Sequence, residues 1–458
     1  MNPEGPPSAR SDLSAGAGED LRSGQDLWDE VFDPKNLAAA LERVERNRGA
    51  AGVDGLTTQE LRGWLREHWA ATRVALDAGT YRPMPVRQVV IPKPDGGQRK
   101  LGVPTVLDRV IQQAIAQVLT PVFDPGFVPV SYGFRPGKSA HDAVKVARLV
   151  IEQGYRWVVE VDLDAFFDRV NHDILMARVA RKVKDKRLLK LIRAYLEAGI
   201  MVDGVRQPVS EGTPQGSPLS PLLSNIMLDD FDQEFWGRGH RFVRYADDIR
   251  VFVKSKRAAE RVLEQGTKLL EQRLKLRVNR EKSSIRPATT AVLLGFGFFF
   301  TAGGVQIRVA PKAWSRMKAR VRELTSRRWS VAMEYRIGRL NQYVRGWMGY
   351  FRLAATPRKF SDLDEWFRRR LRQIRWKEWK RGRTRVANLR GLGLRADLAW
   401  QWGFSSRGYW RVAGSPVLQR ALPNSYWEGQ GLIFFHRAWT KFQRPSEPPY
   451  ARSARTVV

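Results

Sequence analysis

The 458-residue chain carries 79 Lys and Arg against 47 Asp and Glu, a formal net charge of +32, and has no Cys. A field of that sign points to a polyanionic partner, nucleic acid before anionic membrane, while the missing thiols exclude disulfides and thiolate zinc sites and fit an intracellular protein. No apolar run approaches about 20 residues, so no membrane-spanning helix is predicted.

Residues 1–25 are rich in Gly, Pro, Ser and Ala without an apolar core, and read as a disordered tail rather than a signal peptide. From 26 to about 78 the apolar spacing is helical, broken by the turn "GAAGVDG" at 49–55. "VRQVVIPKPDGGQRKLGVP" (86–104) reads as a β-hairpin with basic residues on both arms. A helix is expected over 107–124, then a loop entering a helix at "FVPVSYGFRPGKSAHDAV" and a strand at "RWVVEVDL" (156–163). One or two helices follow in "HDILMARVARKVKDKRLLKLIRAYLEAG", and "GTPQGSPLSPLLSNIMLDDF" is expected as a loop. A hairpin over 242–254, a helix near 257–275 and strands in "RVNREKSSIRP" and "AVLLGFGFFF" complete a pattern of mixed strands and helices. That order predicts an α+β sheet layer.

From about 311 onward the pattern is helical. Phe360, Leu363, Phe367, Leu371 and Ile374 form one apolar stripe, with Arg368, Arg369, Arg372, Arg375 and Lys377 mostly off it. Residues 301–458 hold 34 Lys and Arg against 9 Asp and Glu, and 11 of the 16 Trp. Basic side chains interleaved with large aromatics suit RNA, whose phosphates need neutralising and whose splayed bases stack; the same Trp also suit the core of a helical domain.

"RYADDIR" (244–250) sets two carboxylates side by side between the two arms of the 242–254 hairpin. A lone Asp-Asp is ordinarily an exposed turn, and a buried pair repels unless something positive intervenes. A second acidic stretch, "VVEVDLDAFFD", alternates Glu160, Asp162 and Asp164 along a strand, with Asp162 near its C-terminal end. Carboxylates at a strand end facing the hairpin would suit two Mg²⁺ ions, which bind few carboxylates together with substrate phosphates, and two such ions serve in-line nucleotidyl transfer.

"YADD", "EVDLDAFFDRVNHD", "SYGFRPGKSAHDAV", "EGTPQGSPLSPLLSNI", "LRVNREKSS" and "LLGFGF", in this order, resemble the block set of group II intron reverse transcriptases. "NLAAALERVERNRGAAGVDG" is similar to the family's N-terminal extension, "LNQYVRGWMGYFR" with "LDEWFRRRLRQIRWKEWKRG" to its maturase or thumb domain, and "SSRGYWRVAGSPVLQRALPNSYWEGQGL" to the short tails of bacterial class C members. The resemblance implies a right-hand polymerase: N-terminal extension and fingers over 26–155, palm with an antiparallel sheet over 156–304 (a fingers insertion near 171–215), helical thumb over 305–385, a short nucleic-acid-binding region over 386–445 and a flexible tail from 446. It implies catalysis by Asp162, Asp247 and Asp248 with Lys282 as general acid. The implied metal set is Asp162, Leu163, Asp247 and Asp248, holding two Mg²⁺ or, in their place, Mn²⁺. Lys93, Arg99, Phe167 and Gln215 would bind the nucleotide, with Phe167 excluding a 2′-hydroxyl. Arg135, Tyr245 and Gly295 would touch template or primer, and Arg345, Arg368, Arg369, Arg372 and Lys377 would bind RNA on the thumb. Asp164 stands where relatives often have a basic or small residue. With no Cys, and His436 alone beyond residue 300, no HNH nuclease is expected.

The implied partners are group II intron RNA, an RNA template with a DNA primer, dNTPs and target DNA, without a membrane. The implied function is RNA-directed DNA synthesis joined to maturase activity in splicing and mobility. The alternatives are a splicing-only RNA-binding maturase, which the intact aspartates argue against, and a host-domesticated enzyme in repair or phage defence. A membrane-surface protein is disfavoured because no strongly apolar interfacial helix is evident.

Overall fold

The computed structural model describes residues 26–92, 96–202, 205–207, 211–213 and 216–443. The chain forms two compact units: one reaches Ala143 and resumes over Val159–Ile285, the other combines Val144–Val158 with Arg286 onward. The expected palm boundary at 304 thus differs from the first unit's end at Ile285.

The strands are β1 Val86–Pro92, β2 Gln98–Val103, β3 Trp157–Val161, β4 Ile200–Val202, β5 Val205–Gln207, β6 Arg241–Tyr245, β7 Asp248–Val253, β8 Ser284–Pro287, β9 Val292–Leu293, β10 Phe296–Thr301 and β11 Gly304–Val309. In the first unit, β1 and β2 form the expected antiparallel hairpin, with Ile91 opposite Arg99. A second short hairpin, β4–β5, joins through a parallel pairing of Val86 with Ile200, giving the order β2-β1-β4-β5. The Val106–Phe123 helix follows β2 and is buried on most of its surface. Thr105 caps that helix through the Asp108 amide N–H, and the Asp108 carboxylate accepts from the Thr105 and Tyr81 hydroxyls at 2.7 Å each. The Pro34–Asn47 helix, capped by Asp33, docks on it through Asn36, whose Nδ2 donates to the Ala114 carbonyl.

The sheet that carries the acidic motifs has the order β6-β7-β3-β8. Most of the stretch expected as a loop after "GTPQG" is helix, Ser220–Gly237. Its run of Ser, Pro, Asn and Asp suggests turns, but Leu222, Leu223, Ile226, Met227, Leu228 and Phe231 are buried, and packing overrides local preference.

In the second unit, β9–β11 form a three-stranded sheet in the order β11-β10-β9, followed by the helices Pro311–Leu324, Met333–Phe351 and Pro357–Glu378. The predicted stripe holds: Phe360, Leu363, Phe367, Leu371 and Ile374 are all buried, each contributing about 1.5–3 kcal/mol. Short helices from Gly382 to Gln443 close the unit. Asp364 holds their last segment by accepting from the Phe435 and His436 amides at 2.8 and 2.9 Å. Among the described residues, no helix is long and apolar enough to cross a membrane.

Candidate active site

Tyr245 pairs with Asp248 across the β6–β7 hairpin, so Ala246 and Asp247 make a two-residue turn. Ala246 takes φ of +58°, a left-handed conformation favoured in such turns but costly for a residue with a Cβ. The cluster that over-determines it lies directly underneath. Arg244 and Asp232 are both 0% exposed, and Arg244 Nε donates to both Asp232 oxygens at 2.8 Å. Arg244 Nη1 donates to Asn225 Oδ1 and to the Ala246 carbonyl, each at 2.9 Å. Asn225 Nδ2 in turn donates to the Gly133 carbonyl at 2.9 Å. Burial pushes the Asp232 carboxyl up and its Arg244 partner pulls it back.

The same cluster explains the Gly in "SYGF". Residues 130–132 run along β6, with Arg244 N–H donating to the Val130 carbonyl at 3.1 Å and Tyr132 N–H to the Arg244 carbonyl at 2.9 Å. At Gly133 a Cβ would stand 2.2 Å from the Ala246 nitrogen. No side chain fits there while the Ala246–Asp247 turn keeps its place.

Strand β3 ends at Val161, immediately before Asp162. The turn at 279–283 clasps Asp162: Asn279 N–H donates to the Asp162 carbonyl at 2.8 Å, and Asp162 N–H donates to Ser283 Oγ at 3.1 Å. The three aspartates share one electrostatic environment. Burial raises Asp162, Lys282 opposes the rise, and Asp247 adds to it. Asp248 is pushed up to about 6 by burial, with Arg250 lowering it and Asp247, Glu160 and Asp162 raising it. Arg250, which the motif reading passed over, is the internal counter-ion. Its Nη1 pairs with Asp248 Oδ1, and its Nε lies 3.6 Å from Glu160 Oε1. Glu160 also accepts from Ser284 Oγ at 3.1 Å.

Hard oxygen donors that raise one another's proton affinity suit a divalent cation. As they stand, however, no three His, Cys, Asp or Glu side chains among the described residues are grouped to hold one, and Asp248 Oδ1 is engaged by Arg250. Leu163 is buried core, so its side chain offers no ligand. Asp164 does not share a strand face with Asp162; it lies beyond β3, 3.5 Å from Arg169 and 3.9 Å from Arg277.

Phe167 is half-buried on a short 3₁₀ turn, edge-on to the fully packed Phe166 with centroids 5.2 Å apart. Its carbonyl accepts from Thr213 N–H at 2.5 Å, and Gly216, which ends the "TPQG" stretch, approaches the Gly102 carbonyl of β2 so closely that a Cβ would meet it at 2.9 Å. Lys93 and Gln215 lie outside the described residues. Arg99, Lys282 and Arg345 are exposed, and Tyr245 is half-buried. Gly295, at φ +82°, packs against the Phe351 ring, and its carbonyl accepts from Ala310 N–H at 2.9 Å.

Several expected nucleic-acid contacts face inward. Arg135 is committed to Asp124 at 2.7 Å and to the Val128 and Ser131 carbonyls at 2.7 and 3.0 Å, which leaves little for a phosphate. Arg372 is 7% exposed and donates to the Leu422 carbonyl, and burial lowers it to about 10. Arg369 stacks on Trp410 and donates to its carbonyl. Arg368 lies over the Phe434 ring at 5.8 Å. Lys377 is exposed and donates to the Arg327 carbonyl at 2.7 Å. The helical spacing that placed the arginines off the apolar stripe could not show that the C-terminal helices cover that side.

Residues 91–298 match the family described as reverse transcriptase (RNA-dependent DNA polymerase), and residues 314–393 match the group II intron maturase-specific domain. The chain is 35% identical to Protein YkfC of Escherichia coli over 56% of its length and 77% of that protein. It is also 35% identical to the group II intron-encoded protein LtrA of Lactococcus lactis, over 46% of this chain but only 37% of LtrA, so it spans well under half of that relative. A solved structure titled "Partial Cas6-RT-Cas1--Cas2 complex" matches at 29% identity and TM-score 0.35, covering 54% of this chain and 42% of that one, a superposition too loose to carry argument. With both domain types matched in order along the sequence, the chain belongs to the group II intron reverse transcriptases, RNA-directed DNA polymerases joined to a maturase-specific domain.

Proposed function

We propose that Asp162, Asp247 and Asp248 hold the divalent ions of nucleotidyl transfer, Mg²⁺ above all, and that the chain copies group II intron RNA into DNA while its maturase domain assists splicing. The observation that carries this reading is the placing of Asp162 just past the end of β3, with Asp247 and Asp248 on the turn between β6 and the adjacent β7, where Asp162 is raised first by burial and then by Asp247, and Asp248 first by burial and then by Asp247, Glu160 and Asp162. When bound, such ions make a primer 3′-hydroxyl more acidic and offset charge on the leaving pyrophosphate. The chain's own groups do the rest. Arg244 fixes the turn that aims Asp247. Arg250 neutralises Asp248 and Glu160 until Asp248 is drawn away. Phe167 presents a ring where a 2′-hydroxyl would enter, and Arg99, with Lys93, meets the triphosphate. Lys282, within electrostatic reach of Asp162, supplies a proton to the departing pyrophosphate.

Asp247→Ala should abolish primer extension on an RNA template yet leave RNA affinity nearly intact, because the carboxylate serves chemistry rather than binding. Extension by this variant near the wild-type rate would remove the assignment.

A further inference from the structure

Phe167 stands on a strained turn. Ala165, two residues before it, takes φ of +48°, a left-handed conformation that a residue with a Cβ keeps only where its surroundings hold it. Within the turn, Asp168 N–H donates to the Ala165 carbonyl at 2.8 Å and Arg169 N–H to the Phe166 carbonyl at 3.2 Å. Phe166 and Val170 are buried, while the Phe167 ring is half-exposed. A ring presented in this way is placed only as well as its backbone is held.

The backbone of residues 211–213 runs against this turn. Asn171 and Glu211 form an antiparallel bridge. Gly212 N–H donates to the Val170 carbonyl at 2.7 Å, and Thr213 N–H is the donor to the Phe167 carbonyl. The approach is close enough to require glycine: Gly212 has φ of +100°, and a Cβ there would meet the Asp168 carbonyl oxygen at 2.9 Å.

His172 takes no part in the chemistry proposed above, yet it lies at the centre of this contact. It opens the His172–Lys182 helix directly after the Asn171 cap, and it is 4% exposed. A buried imidazole needs a partner, and Nε2 has one, the Gly212 carbonyl at 2.7 Å. A carbonyl only accepts, so Nε2 carries the proton. The peptide joining Gly212 to Thr213 is planar and trans, so its C=O and N–H point opposite ways. Its C=O accepts from His172, and its N–H holds the Phe167 carbonyl. His172 thus orients the peptide plane that grips Phe167, and two hydrogen bonds link the buried ring to the presented one. Without the imidazole, the Gly212 carbonyl loses its donor, and a glycine can turn the plane to find another.

We propose that His172 is a positioning residue for sugar selection: through the Gly212–Thr213 peptide it holds the backbone of Phe167, and so decides how strictly a ribonucleotide is refused. The proposal rests on the reading of Phe167 as the ring that excludes a 2′-hydroxyl.

The test compares insertion of dGTP and GTP opposite a template cytosine by the full chain, as a ratio of kcat/KM, alongside thermal melting. His172→Leu keeps most of the volume and loses the donor, and should lower the preference for dGTP about five- to tenfold. His172→Gln, whose amide N–H stands close to the place of Nε2, should keep the ratio within about twofold of wild type. Leu175→Ala opens a cavity in the same helix at a side chain that is 0% exposed; it should melt lower and leave the ratio within about twofold. In a Phe167→Ala background, His172→Leu should change the ratio no further, because its effect runs through that ring. If His172→Leu does not fold, His172→Asn replaces it, an amide too short to reach the Gly212 carbonyl, with the same loss expected. The inference is overturned if the variant lacking the donor discriminates as wild type does, if glutamine is no better than leucine, or if Leu175→Ala relaxes discrimination equally. Wild-type discrimination by Phe167→Ala alone would instead sink the reading of Phe167, and the inference with it.

Discussion

The buried cluster around Arg244, which holds the Ala246–Asp247 turn, allows stability and activity to be tested separately. Arg244→Lys keeps the charge but replaces a planar fork by a point donor. One ammonium cannot reach Asp232, Asn225 and the Ala246 carbonyl together, all of which Arg244 bonds at 2.8–2.9 Å. Two buried acceptors lose their donor at about 1–3 kcal/mol each. A loss of about 3 kcal/mol should lower Tm by about 6–12 °C for a unit of this size. Arg244→Met paired with Asp232→Leu removes both charges, and such apolar replacement of a buried pair is often neutral, so the double variant should melt no lower than Arg244→Lys, which leaves the same Asn225 and Ala246 oxygens short of a donor. Activity should not return, because nothing then holds the Ala246 carbonyl against its φ of +58°. A displacement of about 1 Å at Asp247 is enough to slow primer extension on the order of a hundredfold. The assay pairs a thermal melt with single-turnover extension. A double variant that recovers both melting and rate would show that the cluster only stabilises the fold.

Three further outcomes are expected. Gly133→Ala places a Cβ 2.2 Å from the Ala246 nitrogen, so backbone must move, and extension should slow at least tenfold for a stability loss of about 1–3 kcal/mol; a wild-type rate would mean the turn tolerates displacement. Phe167→Ala should cut the preference for deoxyribonucleotides over ribonucleotides, measured as a ratio of kcat/KM, by about tenfold or more, at small thermal cost because the ring is half-exposed; unchanged discrimination would make Phe167 a packing residue. Asp364 is raised to about 6, first by burial and then against the opposing Phe435 and His436 amides. Its proton is therefore held by the folded chain between an unfolded value near 4 and about 6, so its stabilising contribution is complete below pH 4 and is lost as pH rises through 6. Wild-type urea stability should fall between pH 5 and 7.5 relative to Asp364→Asn by on the order of 2 kcal/mol, and parallel pH profiles would refute the account.

What the sequence made legible were features encoded locally. Alternation located β6 and β7, the PDGG turn located the β1–β2 hairpin, and spacing located the apolar stripe of the Pro357–Glu378 helix. Ordered motifs brought Asp162 to the end of β3 and Asp247 to the turn. Features that depend on distant partners stayed hidden. Arg244 reads as a flank of "YADD" because Asp232 is on another element, and Asn225 lies in a stretch whose composition imitates a loop. The role of Gly133 depends on a backbone more than a hundred residues away. Arg250 was equally invisible: alternation puts it on a strand, but only the neighbouring β3 supplies Glu160 for it to bridge.

The same distinction governs how the net charge of +32 should be understood. A count of basic residues treats every guanidinium as a site for phosphate, yet Arg135, Arg244, Arg336 and Arg372 direct their donors at buried carbonyls and carboxylates. Guanidinium suits that task because it stays charged when desolvated and its fork satisfies several acceptors at once. Those arginines hold the shape of the turn and of the helix ends. The groups left to attract RNA are those whose charge has no internal counterpart. Affinity for RNA is therefore set by how charge is exposed, and the number of counter-ions released on binding must be smaller than composition alone suggests.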